Sequence, residues 1–511
     1  MSDIDRRQLL LQGTAAAGLV ALAPGAALGG RARSARLAPA SVHRAVQDQL
    51  PQTIERIQRW IRQPSVSSTG FGVEECCKLT MEMLREAGFQ MVKRMPTRRH
   101  PGIFATLDAG ARRTLALYFM YDVQPVEEKE WASPPWKAAL VTLPEHGKVI
   151  MGRGAVNQKG PQGAFLSALH AIRRAREKMP VNLVLVAEGE EEQGSPNFHQ
   201  IVRRPEVVRA LRRSVGIVMP GAEQKQSGTV EVDLGAKGIL YVEIEASAAA
   251  WGRGPKVRDI HSSLAAVVDS PVWRLIDALH TLRSPDGNEP AIDGIGDLVR
   301  RPSDSDKRLY DALARSEDEA QFKKSIGVDR WVKDLPERVM LERLGTRPSI
   351  NIDGIYAGYT GEGSKTILPQ RATAKIDIRL VPDMTAADVL DKLRKHLDKR
   401  GYSDLAIRRL GGYDPNQTRL DARLIQTQLA LYRARKLDVI IRPRRAGSWP
   451  GYLFTTAPVA IAAGHFGMGY GNGAHSKDEF YVVEPPAAAP FAGLGGAVSS
   501  FADYLYALSS G

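Results

Sequence analysis

The stretch VNLVLVAEGEEEQGS, residues 181–195, decides how the chain is read. Leu183 to Val186 is a short apolar run of strand length, which fits a strand buried on both faces. It runs into carboxylates at Glu188, Glu190, Glu191 and Glu192 and is closed by Gly194. In an open α/β sheet, ligands gather beyond the carboxyl ends of the strands. Adjacent Glu191 and Glu192 at such an end can divide two tasks, one holding a cation and the other moving a proton. A run of glutamates also serves as a solvated turn, the commoner fate of charged residues. The rest of the chain has to decide.

Working outward, helical apolar spacing is predicted over Gly160 to Arg176, just before the strand, and earlier over Val42 to Arg62 and Val73 to Ala87. Short apolar runs at Gly102 to Leu107 and Thr114 to Phe119 read as further strands, the second leading to Tyr121-Asp122. Alternating strands and helices argue for α/β layering. Around Gly235 the texture changes. Ile239 to Ile244 alternates like a half-exposed strand, a helical stretch is expected near His261, and residues 303–346 are charged and helical. Strands at Ser349 to Ile355 and Ala372 to Val381, backed by a helix at Thr385 to Lys399, complete an inserted α+β unit. From Tyr413 the α/β texture returns, ending in a helix over Ala487 to Leu508 that is expected to pack on the first domain.

Composition sets the outer limits. A chain of 511 residues, 43% hydrophobic, can bury one large core or two moderate ones. The formal charge of +13 is scattered rather than drawn into an aromatic-spaced stripe, which argues against nucleic acid as a partner. The two cysteines, Cys76 and Cys77, are neighbours on an expected helix and imply no disulfide framework. Residues 1–30 carry Arg6-Arg7, then Leu9 to Leu11, then a mild Ala- and Gly-rich apolar run ending near Gly25-Ala26-Ala27. That is the pattern of a twin-arginine-type export signal, read by the twin-arginine export machinery, and the mature chain is expected to be periplasmic or exported.

Five stretches, taken in order, carry a resemblance that none carries alone. They are YDVQPVEEKEWASPPW from Tyr121, GRGAVNQKGPQGA from Gly152, EGEEEQGSPNF from Glu188, GSKTILPQRATAKIDIRLVPDM from Gly363 and GNGAHSKDEFYV from Gly471. Together they resemble the di-zinc peptidase family of carnosinases, glutamate carboxypeptidases, acetylornithine deacetylases and succinyl-diaminopimelate desuccinylases. The resemblance covers about residues 42–510. It implies an α/β catalytic domain (42–235 and 412–511) interrupted by an α+β lid and dimerisation domain (236–411), hence a homodimer. It also implies amide hydrolysis, in which metal-bound water is deprotonated by a glutamate.

The resemblance assigns Glu191 as general base, Glu192 and His475 as metal ligands, and Asp122 as the carboxylate that orients a metal-binding histidine. It also shows losses. Met120 stands where that histidine belongs, Asn157 where the bridging aspartate belongs, and Pro220 where another aspartate ligand belongs. Zinc favours about four ligands, of which a catalytic site usually draws three from the protein. The chain is therefore expected to hold at most one zinc or other divalent metal, on Glu192, His475 and weakly Asn157, or none. Glu223 and Asp122 are conceivable substitute ligands. Without metal some of the Glu188 to Glu192 carboxyls should have raised pKa values, with Lys159 offsetting part of the charge. On the substrate side the resemblance assigns His261 to the partner subunit's oxyanion and Arg379 to a substrate carboxylate. Thr366, Asn351, Ser448 and Gly447 are assigned further substrate contacts.

These residues leave three functions open. The first is a metal-dependent hydrolase of peptide or N-acyl amino acid amide bonds with a free substrate carboxylate. The second is an exported, catalytically silent pseudoenzyme that binds a small ligand. The third is a metal-free enzyme reusing the pocket, with preorganised donors in place of the Lewis acid.

Overall fold

The computed structural model describes residues 35–285 and 287–510. The export-signal segment, residues 1–30, lies outside the described residues. Among the described residues no helix is long and apolar enough to cross a membrane.

The central sheet has six strands, in the order Met91–Met95, Gly102–Leu107, Asn182–Glu188, Thr114–Met120, Ser214–Pro220 and Ala463–Phe466. The last four run parallel to one another, while the first two attach antiparallel at one edge. Parallel strands require both faces to be covered, and their side chains are accordingly buried on both. The helix Lys159–Arg174 lies on one face and is buried nearly all round, packed against Leu494–Ser509, Leu50–Arg62 and Ala40–Asp48. A helix with no polar face must lie inside the protein, and Leu494–Ser509 is of the same kind. It starts later than the expected Ala487 and packs on the first domain as anticipated.

The parallel strands end together at Met120, Glu188, Pro220 and Phe466. A second, four-stranded antiparallel sheet stands beside that edge. Its neighbouring strands Gly147–Met151 and Phe480–Glu484 pair Met151 with Phe480. The loop after Met151 carries Asn157, and the loop before Phe480 carries His475. Sheet pairing therefore brings together residues more than 300 positions apart in the chain.

The third sheet is antiparallel, in the order Ser349–Ala357, Arg371–Leu380, Gly238–Ser247 and Ala406–Tyr413. Helices Pro271–His280 and Ala386–Lys399 cover one face and enclose a core of their own, including Leu240, Leu275, Ile376 and Leu393. The fold is thus α/β with a distinct α+β sheet unit.

Three local expectations are corrected. The run from Val42 to Arg62 is two helices, Ala40–Asp48 and Leu50–Arg62, broken at Gln49. Pro51 explains the break: it lacks an N–H and is accommodated only in a helix's first turn. The helical stretch near His261 is a short 3-10 helix, Ser262–Ala266, which the His261 side chain caps from a two-residue strand paired with Ile367, and the α-helix starts only at Pro271. The inserted unit gains a strand not expected from the sequence, Ala406–Tyr413, which pairs with Gly238–Ser247.

Candidate active site

The carboxylate run is sorted by its hydrogen bonds. At Gly189 a Cβ would stand 2.5 Å from the Tyr121 ring, so the chain can turn out of its strand there only as glycine. Glu188 accepts hydrogen bonds from the Tyr118 hydroxyl at 2.8 Å and the Ser195 hydroxyl at 2.7 Å, while its other oxygen is buried without a partner. Burial holds its carboxyl well above the usual range, which favours the neutral, protonated form. Glu190 is buried against the Asn197 amide, 3.0 Å from each oxygen, and burial raises it as well. These two belong to the scaffold.

Glu191 and Glu192 occupy the turn Glu191–Gln193, which is closed by Gly194 at φ +80°. Asp122, two residues past the neighbouring strand, accepts the Glu191 N–H at 3.2 Å on one oxygen and the Glu192 N–H at 3.0 Å on the other. The Tyr413 hydroxyl donates to the Glu191 carbonyl at 3.2 Å. The backbone of the pair is thus pinned from two sides. Burial, then the Glu192 charge, pushes Asp122 up to about 7 against the pull of the two N–H groups. Burial, then the charges of Glu192, Asp122 and Glu188, lifts Glu191 well above the usual range. Asp122 therefore orients this turn. The rise expected for some of the Glu188 to Glu192 carboxyls falls on Glu188, Glu190 and Glu191. Lys159 does not offset their charge by contact: its buried ammonium donates to the Trp60 and Gln63 carbonyls at 3.1 and 2.7 Å.

Glu192, Asn157 and His475 meet in one cluster. The Asn157 amide nitrogen donates to one Glu192 oxygen at 2.8 Å and stands 3.0 Å from His475 Nε2. His475 Nε2 is 3.1 Å from the other Glu192 oxygen, which also accepts from the Gln124 amide at 2.8 Å. The hydrogen bond to Glu192 raises the His475 pKa, which favours the imidazolium. His475 has φ +62°, a conformation uncommon outside glycine, and such outliers concentrate at functional sites.

Glu479 holds this cluster in place and was missed from the sequence. One oxygen accepts the Val156 and Asn157 N–H groups at 2.9 and 2.8 Å; the other accepts the Gly154 N–H at 2.9 Å and the Arg153 guanidinium at 2.8 Å. Its only sequence signal is a glutamate four residues after His475, inside a motif already singled out.

The first half-site has a different character. Met120 is 1% exposed and shares an apolar cluster with Tyr118, Met219, Trp449 and Leu453. Pro220 ends its strand opposite Phe466 and offers no side-chain donor. Glu223 does not substitute: its carboxylate folds back over Gly221 and faces Arg445 at 3.5 Å. Asp122 is committed to backbone N–H groups. Among the described residues no three His, Cys, Asp or Glu side chains converge as a metal site. The donor set therefore does not fit two metals. It fits one, if the Asn157 amide turns to present its oxygen beside Glu192 and His475.

The substrate-side residues form separate groups. His261 and Thr366 are exposed and joined, with Nε2 3.0 Å from the threonine hydroxyl, while His261 Nδ1 accepts the Ser263 N–H at 3.1 Å. Arg379 is paired with Asp377 at 2.9 Å, and Asn351, opposite Asp377 in the sheet, donates to Asp353 at 2.8 Å. Gly447 is exposed, and the Ser448 hydroxyl next to it is buried without a partner. Cys76 and Cys77 are buried in the main core as free thiols.

Residues 116–488 match the family model for peptidase family M20/M25/M40. A Cys-Gly metallodipeptidase of Schizosaccharomyces pombe is 26% identical over 361 residues, covering 68% of this chain and 72% of that protein. The human Beta-Ala-His dipeptidase is 28% identical over 301 residues, covering 58% and 56%. The M20 family metallo-carboxypeptidase Sso-CP2 from Sulfolobus solfataricus superposes with a TM-score of 0.78 at 28% identity, over 90% of this chain and 99% of that one. The Saccharomyces cerevisiae di-peptidase Dug1p follows at 0.75 and 23%, a likeness of fold. With the family model spanning most of its length, the chain belongs to peptidase family M20/M25/M40.

Proposed function

We propose that the chain hydrolyses small peptides or N-acyl amino acids bearing a free carboxylate, with at most one divalent metal, zinc foremost. The observation that carries this reading is Glu191, held by Asp122 and Tyr413 beside the converging Glu192, Asn157 and His475. Glu192, His475 and the turned Asn157 amide would hold the metal, which supplies a Lewis acid and a more acidic water. Glu191, with its raised affinity for a proton, takes one from the attacking water and returns it to the leaving amine. Asp122 and Glu479 keep the two loops in register. Ser448, with its buried unpartnered hydroxyl, and Gly447 suit contact with a substrate carboxylate, and Arg379 joins them by exchanging Asp377 for the ligand.

We read residues 42–235 and 412–511 as the catalytic domain and 236–411 as a lid through which two copies associate. Supporting this are the edge strand Ser349–Ala357, with exposed Ile352, Ile355 and Tyr356, and exposed Trp273, Val267 and Val257 elsewhere in the same unit. His261 and Thr366, exposed on that unit, then serve the partner's site. Residues 1–30 direct export.

One observation favours a second reading, a silent binding protein. The Asn157 amide already donates to one Glu192 oxygen while His475 pairs with the other, so the carboxylate is satisfied without a cation. Metal content after purification without chelator, with zinc or manganese add-back on a dipeptide and N-acyl amino acid panel, separates the two. About one metal per chain, with turnover falling about 10²–10⁴-fold in Glu191→Gln, is expected. No metal and no rescued turnover would leave the binding protein.

A further inference from the structure

Part of the positive charge that is scattered along the chain is gathered by the fold at one face. The strand Met91–Met95 leads into a loop carrying Arg98, Arg99 and His100, and the helices His199–Val202 and Pro205–Arg212 lie beside it. The Arg98 N–H donates to the Gln200 side-chain oxygen at 3.1 Å, and the Arg204 guanidinium donates to the Pro96 carbonyl at 3.0 Å. Burial, then the charges of Arg203 and Arg98, lower the His199 pKa, so these cations stand close to one another. Val207 and Leu211 sink into the apolar cluster around Tyr118, which leaves Arg209 and Arg212 on the exposed side of the second helix. Arg203 and Arg213, also exposed, flank that helix, whose eight residues span about 12 Å.

Little answers this charge. Residues 93–100 and 199–213 hold a single acid, Glu206, among their lysines and arginines. Among the described residues, Arg94 alone of these two stretches has an ion pair, with Glu74 at 2.9 Å. At the border of the face the Arg99 guanidinium donates to the Ser67 and Ser68 carbonyls at 3.0 and 2.7 Å, and His100 Nε2 stands 2.8 Å from the same Ser67 carbonyl. These bonds hold a turn over residues 67–70, and the residue that follows it, Phe71, is 58% exposed.

The make-up of the face narrows its partner. A protein partner is held chiefly by an apolar and aromatic centre, and among the described residues neither stretch exposes a large apolar side chain. A nucleic acid strand is gripped by aromatic rings set between the cations, and neither stretch contains Phe, Trp or Tyr. A layer of anionic headgroups asks only for separated cations and a shallow apolar anchor. We propose that this face rests on an anionic lipid surface, with Arg98, Arg203, Arg209 and Arg212 toward headgroup phosphates and Phe71 at the interface. The inference stands apart from the hydrolase reading, since it uses none of Glu191, Glu192, Asn157 or His475.

The test is flotation of the full chain with phosphatidylcholine vesicles containing about one-third phosphatidylglycerol. Binding is expected to exceed that to pure phosphatidylcholine at least about tenfold, and to fall at least about tenfold between about 50 and 500 mM salt, because salt screens exposed charges. Arg203→Glu, Arg209→Glu and Arg212→Glu together should lower it at least about tenfold. Arg44→Glu, Arg174→Glu and Arg433→Glu make the same change of net charge on helices packed against the opposite face of the central sheet. They should lower it less than about threefold, and Phe71→Ser about threefold. Every variant keeps residues 1–30, so any binding by that segment is common to all. Circular dichroism reports whether each variant folds, and the salt series on the parent chain needs no variant. Equal binding to neutral vesicles, indifference to salt, or equal losses in the two triple variants would overturn the face. Binding of a duplex DNA without binding of vesicles would overturn it too.

Discussion

Two neighbouring half-sites at the same sheet edge have taken different courses. Around Met120 and Pro220 there is no side-chain donor from these two residues, and Met120 lies in an apolar cluster with Tyr118, Met219 and Trp449. Around Glu192 and His475 polar groups face one another, with His475 and the Asn157 amide each on one Glu192 oxygen. The contrast shows two ways of filling neighbouring positions at one sheet edge. A thioether fills the volume and removes the demand for hydrogen bonds altogether. An amide keeps the polar neighbours and satisfies them, since a buried carboxylate without a partner is expensive. The first change is hard to reverse by ligand alone; the second leaves donors that one cation could still use.

The sharpest way to break this comparison is to restore the ligands. Met120→His, Asn157→Asp and Pro220→Asp together should raise the metal content from at most one to two per chain, read by elemental analysis of protein purified without chelator. A triple variant that still takes up no additional metal would show that the apolar half-site has lost its shape as well as its donors. Glu479 tests the polar half-site next. Glu479→Ala strands Arg153 and three N–H groups in the interior and should cost about 3–5 kcal/mol in denaturant unfolding, as breaking buried pairs does. A loss under about 1 kcal/mol would mean that the Asn157 loop is held by something else.

The smallest expected effect concerns Glu223, at the border of the polar half-site. Burial pushes its carboxyl up to about 7. The folded chain therefore binds this proton more tightly than the unfolded chain does. The stability it contributes is full below the ordinary carboxylate range and is lost as pH rises through about 7. In thermal melts the Tm of Glu223→Gln should accordingly gain on the parent chain by a few degrees between about pH 5 and pH 8. A constant difference across that range would place the carboxylate in a more solvated setting.

Much of this was legible in the sequence because it depends on local order. The buried strand before Glu188, the helix after Gly160 and the helix at Thr385 announce themselves by apolar spacing, and Thr385 does cap its helix through the Asp388 N–H. Glu191, Glu192, Asp122, Asn157 and His475 were named from motifs, and the structure brings all five together. The helical start near His261 was legible, but the pairing of His261 with Ile367 was not, because that strand is about a hundred residues away. Glu479 was passed over because its role depends on three N–H groups more than 300 residues earlier in the chain. Lys159 was expected beside the carboxylates, and only packing shows its ammonium spent on the carbonyls of another helix.

The sequence by itself determined the α/β class and the family, because identity and order along the chain carry both. The tertiary structure alone decided what surrounds Met120 and Pro220, which of the glutamates are scaffold and which face the Asn157 and His475 loops, and where unpartnered acceptors remain. Hydrogen bonding and desolvation depend on distances across the fold, and a sequence states neighbours only along the chain.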